Sequence, residues 1–358
     1  MTNTYEFKGW IAKEPAVDAK LEWAEFQPKK WEESNIDIKI THSAICGSDI
    51  HALRYSRGSS HYPCVLGHEI VGIAVRVGAN AEGGIKVGDL VGVGAQADSC
   101  CGHGAKECMP CKNNEEPYCV NGAIQTYGDV HYNGDVSNGG YALYHRARSH
   151  FVIKVPDGLA PEFAAPMLCG GITVWSPLKH WGVGPGKTVA VAGIGGLGHL
   201  AVLFAKALGA KVVGISRSSS KRSHALTLGC DDYIASEEDK DWAINNSHRF
   251  DLIISTIASA SLPIHDFLRT LALNGTVVQV GSVDEPVPVP IFSLLCGRRS
   301  LASSAIGSPK EIREMFEFAA KQEIKPWVET RPMADANQAV IDMEAGKACF
   351  RYVLVNSS

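Results

Sequence analysis

The first half of the chain carries short apolar runs separated by glycine and polar clusters. In Ile36-Asp37-Ile38-Lys39-Ile40 the apolar positions alternate, and residues 71–77, 90–93 and 151–155 form comparable runs. Alternation with a period of two sends every second side chain to one face, the pattern of a half-buried strand, and the Gly/Asn/Asp clusters between runs suit turns. Residues 1–156 therefore predict a β-rich domain with long loops. After Pro156 the pattern changes. A short apolar run at 189–192 precedes a glycine turn and a helical stretch over 199–208, and 211–215 reads as the next strand. Further runs at 252–254 and 276–280 alternate with helical segments around Ala225 and Phe267. Strand–helix–strand repetition predicts a doubly wound parallel sheet over 157–297, so the fold class is α/β. A helix over 310–321 and a strand over 351–355 close the chain, and periodicity does not say where they dock.

Composition narrows the partners. The 358 residues are 45% hydrophobic, and 34 basic against 38 acidic residues give a net charge of −4. A length near two domains allows sizeable cores, and the charge balance lacks the basic excess of a nucleic-acid binder. No apolar run reaches the ~20 residues of a membrane helix, and the N-terminal residues lack the basic and apolar regions of a signal peptide. The expectation is a cytoplasmic protein that engages neither nucleic acid nor membrane.

Eleven cysteines would be few for a disulfide scaffold, and five of them crowd into 100–119. Cys108-x2-Cys111 has zinc-knuckle spacing, Cys119 follows, and Cys100 or Cys101 lies upstream. Four thiolates close a tetrahedron and make a structural zinc site. Spacing does not decide between Cys100 and Cys101. A second set is dispersed: Cys46, His68 and Cys169, each beside glycine, would make a Cys2His zinc with an open fourth position. Cys64, four residues before His68, is near enough to be a ligand but reads as packing.

Gly193-Ile194-Gly195-Gly196-Leu197-Gly198 follows a strand and opens a helix. The glycines allow a tight turn, backbone approach to a pyrophosphate and close helix–strand packing, and the helix N-terminus offers free N–H groups. The acidic residue that holds an NAD ribose is missing about 20 residues on. Ser216, Arg217, Ser218 and Lys221 stand there instead, an anion pocket suited to the 2′-phosphate of NADP(H).

Together, Cys46-Gly-Ser48-Asp49-x-His51, Gly67-His68-Glu69-Ile-Val-Gly72, the cysteine lobe, Cys169-Gly-Gly-Ile-Thr173-Val and the glycine turn resemble the zinc-dependent medium-chain alcohol dehydrogenases. Within them the likeness is greatest to the NADPH-dependent cinnamyl alcohol dehydrogenases and their fungal broad-specificity aldehyde reductases, over residues 8–355. The resemblance implies a GroES-like catalytic domain, 1–156 rejoined by 298–358, around a Rossmann nucleotide-binding domain. It also implies a homodimer, two zinc ions per chain, and hydride transfer between NADPH and an aromatic or medium-chain aldehyde. By position Ser48 and His51 match the proton relay and Glu69 an alternate zinc ligand, while Thr173, Thr256, Gly281 and Ser304 match cofactor positions. Asp49 reads either as an orienting carboxylate or as a turn former. Leu53, Tyr55, Trp175 and Ile306 are candidates for an apolar substrate pocket or for packing.

One departure stands out. The family lobe runs Cys-x2-Cys-x2-Cys-x7-Cys, whereas seven residues separate Cys100 from Cys108 here, an insertion of about five near 102–106. Two other functions compete with this one. A relative specialised for iminium ions or conjugated C=C bonds would relax the demand for the Ser48–His51 relay. A non-catalytic NADPH-binding sensor would have no use for an open zinc site.

Overall fold

The strand Asn35–Ala44 is the spine of the first half. Ile36, Ile38 and Ile40 are buried, as the alternation predicts, but Asp37 on the opposite face is buried as well. The neighbouring strand Tyr144–Arg148 sets Arg146 opposite Asp37, and its Nε and Nη2 donate to the carboxylate at 2.6 and 2.9 Å. A paired guanidinium lets that face be covered at Asp37, while Lys39 on the same face stays exposed. The sheet runs Val152–Lys154, Leu90–Val93, Ile70–Val77, Asn35–Ala44, Arg351–Val355, Val328–Pro332, with Tyr144–Arg148 also pairing to Asn35–Ala44. The C-terminal strand thus docks inside the N-terminal sheet, antiparallel to Asn35–Ala44.

This structure, a computed structural model, describes residues 5–55, 61–103, 107–259, 261–283 and 285–356. They form two compact units, one made of the chain up to Ile172 together with the chain from Gly307, the other of Thr173–Ile306. Both junctions differ from the sequence-based boundaries at 157 and 298. The helix Pro161–Pro166 packs on strands of the antiparallel sheet and carries the turn Met167–Gly171 with it, so the chain leaves the first unit later. At the other end Ser300–Ser303 pairs in parallel with Leu271–Gln279 and belongs to the second unit. Ser308 then starts the helix Pro309–Lys321 through a capping box with Glu311. Each side chain accepts from the other's backbone N–H, which satisfies two orphan donors of the first turn.

In the second unit six strands run in parallel, ordered Asp232–Ala235, Lys211–Ser216, Thr188–Ala192, Phe250–Ser255, Leu271–Gln279, Ser300–Ser303. Thr188–Ala192 has Lys211–Ser216 on one side and Phe250–Ser255 on the other. The order reverses there, which is where doubly wound sheets bind ligands. Val189, Ala190, Val191 and Ala192 are fully buried, as expected for a strand covered on both faces. Among the described residues, no helix is long and apolar enough to cross a membrane.

Candidate functional site: two four-donor clusters and a nucleotide cleft

Four donors from three distant stretches meet in the first unit. Cys46 follows the strand Asn35–Ala44 and leads into the helix Gly47–Tyr55. His68 and Glu69 precede Ile70–Val77, and Cys169 sits in the π-helical turn Met167–Gly171. Gly67 makes the middle stretch possible: its φ is +92°, and a Cβ there would lie 2.5 Å from the Tyr141 ring. One donor atom from each of Cys46, His68, Glu69 and Cys169 lies within 4.8 Å of all the others, and all four residues are buried.

The surroundings aim these groups. Asp49 Oδ1 lies 3.2 Å from His68 Nδ1, and Oδ2 accepts from the Cys46 backbone N–H and the Tyr141 hydroxyl, each at 2.8 Å. Glu69 accepts from the Gly170 N–H at 3.0 Å and pairs with Arg351, which is itself 1% exposed. Tyr127 stacks on the His68 ring at 5.5 Å. The other ring nitrogen, His68 Nε2, is buried and has no hydrogen-bond partner.

These features fit a zinc ion. Zn–S bonds of ~2.3 Å at tetrahedral angles place two sulfurs about 3.8 Å apart, and Cys46 Sγ lies 3.9 Å from Cys169 Sγ. A carboxylate on Nδ1 orients a ligating imidazole and frees Nε2 for the metal. Electrostatics agree. Burial alone would depress the His68 imidazole, but Asp49 and then Cys46 hold it well above its usual value, and the contact with Cys169 draws the Cys46 thiol well down. A field that retains an extra proton also favours a divalent cation in its place.

The second cluster is local. Cys100, Cys108, Cys111 and Cys119 also bring their sulfurs within 4.8 Å, with Cys100–Cys111 at 3.6 Å and Cys108–Cys119 at 3.9 Å. Backbone N–H groups of Cys100 and Cys108 donate to Cys119 and Cys100 sulfurs at 3.4 and 3.3 Å. All four corners are thiols, so a metal held there has no open position. The structure thereby separates Cys100 from Cys101: the Cys101 thiol groups with Glu116 and His150 instead. Of the lengthened loop, residues 104–106 lie outside the described residues.

In the second unit a cleft of about 610 Å³ opens at the sheet's switch point. Gly193, Ile194, Gly195, Gly196 and Leu197 line it with Ser216, Arg217, Lys221 and Thr256. Gly198 closes the turn: a Cβ would lie 1.9 Å from the Gly193 carbonyl oxygen, so only glycine lets helix and strand approach this closely. Thr173, Ser218, Gly281 and Ser304 are not among the residues lining this cleft. Ser218 instead meets the Ser220 hydroxyl at 2.9 Å, and a Cβ on Gly281 would meet the Ile257 carbonyl.

Ser48 is exposed, with its hydroxyl 3.7 Å from Cys46 Sγ, and His51 is half-buried one helical turn further on. Positions three apart share a helix face. Leu53 belongs to the core of the first unit and Trp175 packs edge-on against Phe204, both nearly inaccessible. The Tyr55 side chain lies outside the described residues, and Ile306 is half-buried. Sequence reasoning missed Tyr127, Tyr141 and Arg351 around the dispersed cluster, and Trp242 and Asp266 in the cleft.

Comparison with known proteins adds the following. A family model described as an alcohol dehydrogenase GroES-like domain matches residues 32–157, and one described as a zinc-binding dehydrogenase matches residues 196–321. An NADP-dependent alcohol dehydrogenase 6 from Saccharomyces cerevisiae is 39% identical over 350 residues, covering 95% of each chain. Cinnamyl alcohol dehydrogenase 2 from Rauvolfia serpentina is 40% identical over 348 residues, 97% of this chain and 94% of the other. A solved cinnamyl alcohol dehydrogenase structure from Sorghum bicolor superposes with a TM-score of 0.91 at 32% identity, covering 98% of both chains.

Proposed function

The chain belongs to the zinc-binding alcohol dehydrogenase family, and from that premise we propose that it is an NADP(H)-dependent alcohol dehydrogenase working as an aldehyde reductase on small aromatic (cinnamyl-type) or medium-chain aldehydes. The observation that carries this reading is the buried, partnerless His68 Nε2 converging with Cys46, Cys169 and Glu69 beside the exposed Ser48 hydroxyl. When bound, zinc supplies Lewis-acid polarisation of a carbonyl and NADPH supplies hydride. Cys46, His68 and Cys169 would hold the catalytic metal, with Glu69 as its alternate ligand. Cys100, Cys108, Cys111 and Cys119 would hold the structural one.

The chain's own groups do the rest. Asp49 fixes the ring of His68 through Nδ1 and the Cys46 backbone through its N–H. The Ser48 hydroxyl donates a proton to the product oxygen, and His51 resupplies it from solvent. Arg217 and Lys221, with the Ser216 hydroxyl, take the 2′-phosphate, and Ser218 would join them by turning its hydroxyl from Ser220, while the 193–198 turn takes the pyrophosphate. Thr173, Thr256, Gly281 and Ser304 remain assigned to the rest of the cofactor. We also infer a homodimer acting in the cytoplasm. Ile291, Phe292 and Leu295 are 64–75% exposed, and Ser300–Ser303 is the edge strand of the parallel sheet. An apolar patch and a sheet edge are surfaces that association covers.

Steady-state rates with NADPH and NADH against cinnamaldehyde, benzaldehyde and hexanal test the reading. Strong NADPH-dependent turnover is expected. Arg217→Ala should weaken NADPH by about 10- to 100-fold, the worth of a charged hydrogen bond, and leave NADH nearly unchanged. Equal losses with both cofactors would remove the 2′-phosphate assignment.

A further inference from the structure

The thiol that the four-cysteine cluster leaves out has partners of its own. Cys101, Glu116 and His150 come from the loop after Gln96–Asp98, the short turn Glu116–Tyr118 and the turn Ser149–Phe151. One donor atom from each lies within 4.8 Å of the others. Cys101 and Glu116 are 5% and 2% exposed, and the His150 side chain is 22% exposed. We propose that Cys101, Glu116 and His150 form a third, exchangeable zinc site on the rim of the cysteine lobe.

Three observations support this. First, the donor set is one sulfur, one imidazole nitrogen and one carboxylate oxygen, a combination that suits zinc and leaves a fourth position for water. Second, His150 is oriented as metal-bound histidines are: its Nδ1 lies 3.0 Å from the Glu82 carboxylate, which leaves Nε2 to face Glu116 Oε1 at 2.9 Å. Nε2 and Glu116 Oε1 share a proton at that distance, and a divalent cation in the cluster would take that proton's place. Third, Glu116 Oε2 is buried without a hydrogen-bond partner, an acceptor left over inside the cluster. A thiolate and a carboxylate around a neutral imidazole balance a divalent ion. The adjacent Arg148 guanidinium is tied to Asp98, to which its Nη1 donates at 2.6 Å. The partial exposure of His150 provides the route of exchange, in contrast to the closed cluster one residue away.

The test is a zinc count on intact protein. Wild type, purified with its tightly held zinc, is dialysed against micromolar free zinc and counted, then dialysed against zinc-free buffer and counted again. The expected result is one additional zinc per chain in the first condition, lost in the second and absent in Cys101→Ala and His150→Ala. Neither residue belongs to the proposed catalytic or cofactor set, so unchanged NADPH-dependent aldehyde reduction will show that the variants are folded. Cobalt(II) added to the zinc-loaded wild type should produce a thiolate-to-cobalt absorption band that Cys101→Ala abolishes, and this reading stands even if His150→Ala fails to fold. No extra zinc and no thiolate band in wild type would overturn the proposal, as would an extra zinc that persists in Cys101→Ala.

Discussion

Cys100 and Cys119 are 19 residues apart, whereas Cys46 and Cys169 are separated by 123. The local cluster is held mainly by its own backbone, through N–H groups of Cys100 and Cys108 that point at sulfurs. The dispersed cluster is held by side chains drawn from across the first unit: Asp49, Tyr141, Tyr127 and Arg351, the last of them 282 residues from Glu69. Closing a short loop costs little entropy, so the lobe can be organised by its metal alone. The dispersed site exists only once the antiparallel sheet has formed. A closed set of four thiols then serves stability, and a mixed set with a polar, braced surround serves chemistry.

The comparison is broken most severely by metal removal. Once exchangeable zinc has been dialysed away, graded chelation should first empty the open site. NADPH-dependent turnover then falls by on the order of a thousandfold or more, the several kcal/mol of Lewis-acid assistance, while the unfolding midpoint holds. Activity and midpoint falling together would erase the distinction. Cys108→Ser acts on the other side. It should remove one tightly bound zinc and about 3 kcal/mol of stability, read by denaturant unfolding, with kcat of the folded fraction within a few-fold of wild type.

Smaller effects sharpen the same contrast. Asp49→Asn weakens the hold on His68 without touching the lobe, so zinc affinity of the open site or kcat should fall about 10- to 100-fold, with the lobe zinc retained. The smallest effect belongs to neither cluster. Burial pushes His131 down to about 4 and His145 down to about 3, below their usual 6.5. On acidification the unfolded chain takes up these protons first. Their contribution is fully present above about pH 6.5 and is lost as pH falls toward the folded values, at about 1.4 kcal/mol per pH unit for each histidine. Stability measured from pH 7 to 5 should fall less steeply in His131→Asn, by one proton's worth, in protein with or without the open-site metal.

What could be read from the sequence follows the same division. The local cluster was visible as a crowd of cysteines, and the Gly193–Gly198 turn as a strand, a glycine pattern and a helix in immediate succession, because each lies within a few residues. Cys100 and Cys101 could not be separated, since adjacent residues differ only in which way the backbone turns them. Cys46, His68 and Cys169 could be named as a set from their types and glycine neighbours, but nothing local to any one of them showed that they meet. Arg351 gave no such signal, because its role arises from where the last strand docks, and periodicity carries no record of docking. Asp37 shows the same limit at the level of a strand: its burial depends on Arg146 across the sheet. The domain boundaries shifted for a related reason, as Pro161–Pro166 and Ser300–Ser303 are assigned by what they pack or pair with.

The most direct test of the central claim, that the dispersed cluster is the catalytic one, is the steady-state rate of NADPH oxidation by Cys46→Ser with cinnamaldehyde, measured beside wild type on protein whose zinc content and fold have been verified. The account predicts that the variant keeps the lobe zinc and its folded spectrum and loses turnover. Undiminished aldehyde reduction by a folded Cys46→Ser protein lacking the open-site metal would contradict it.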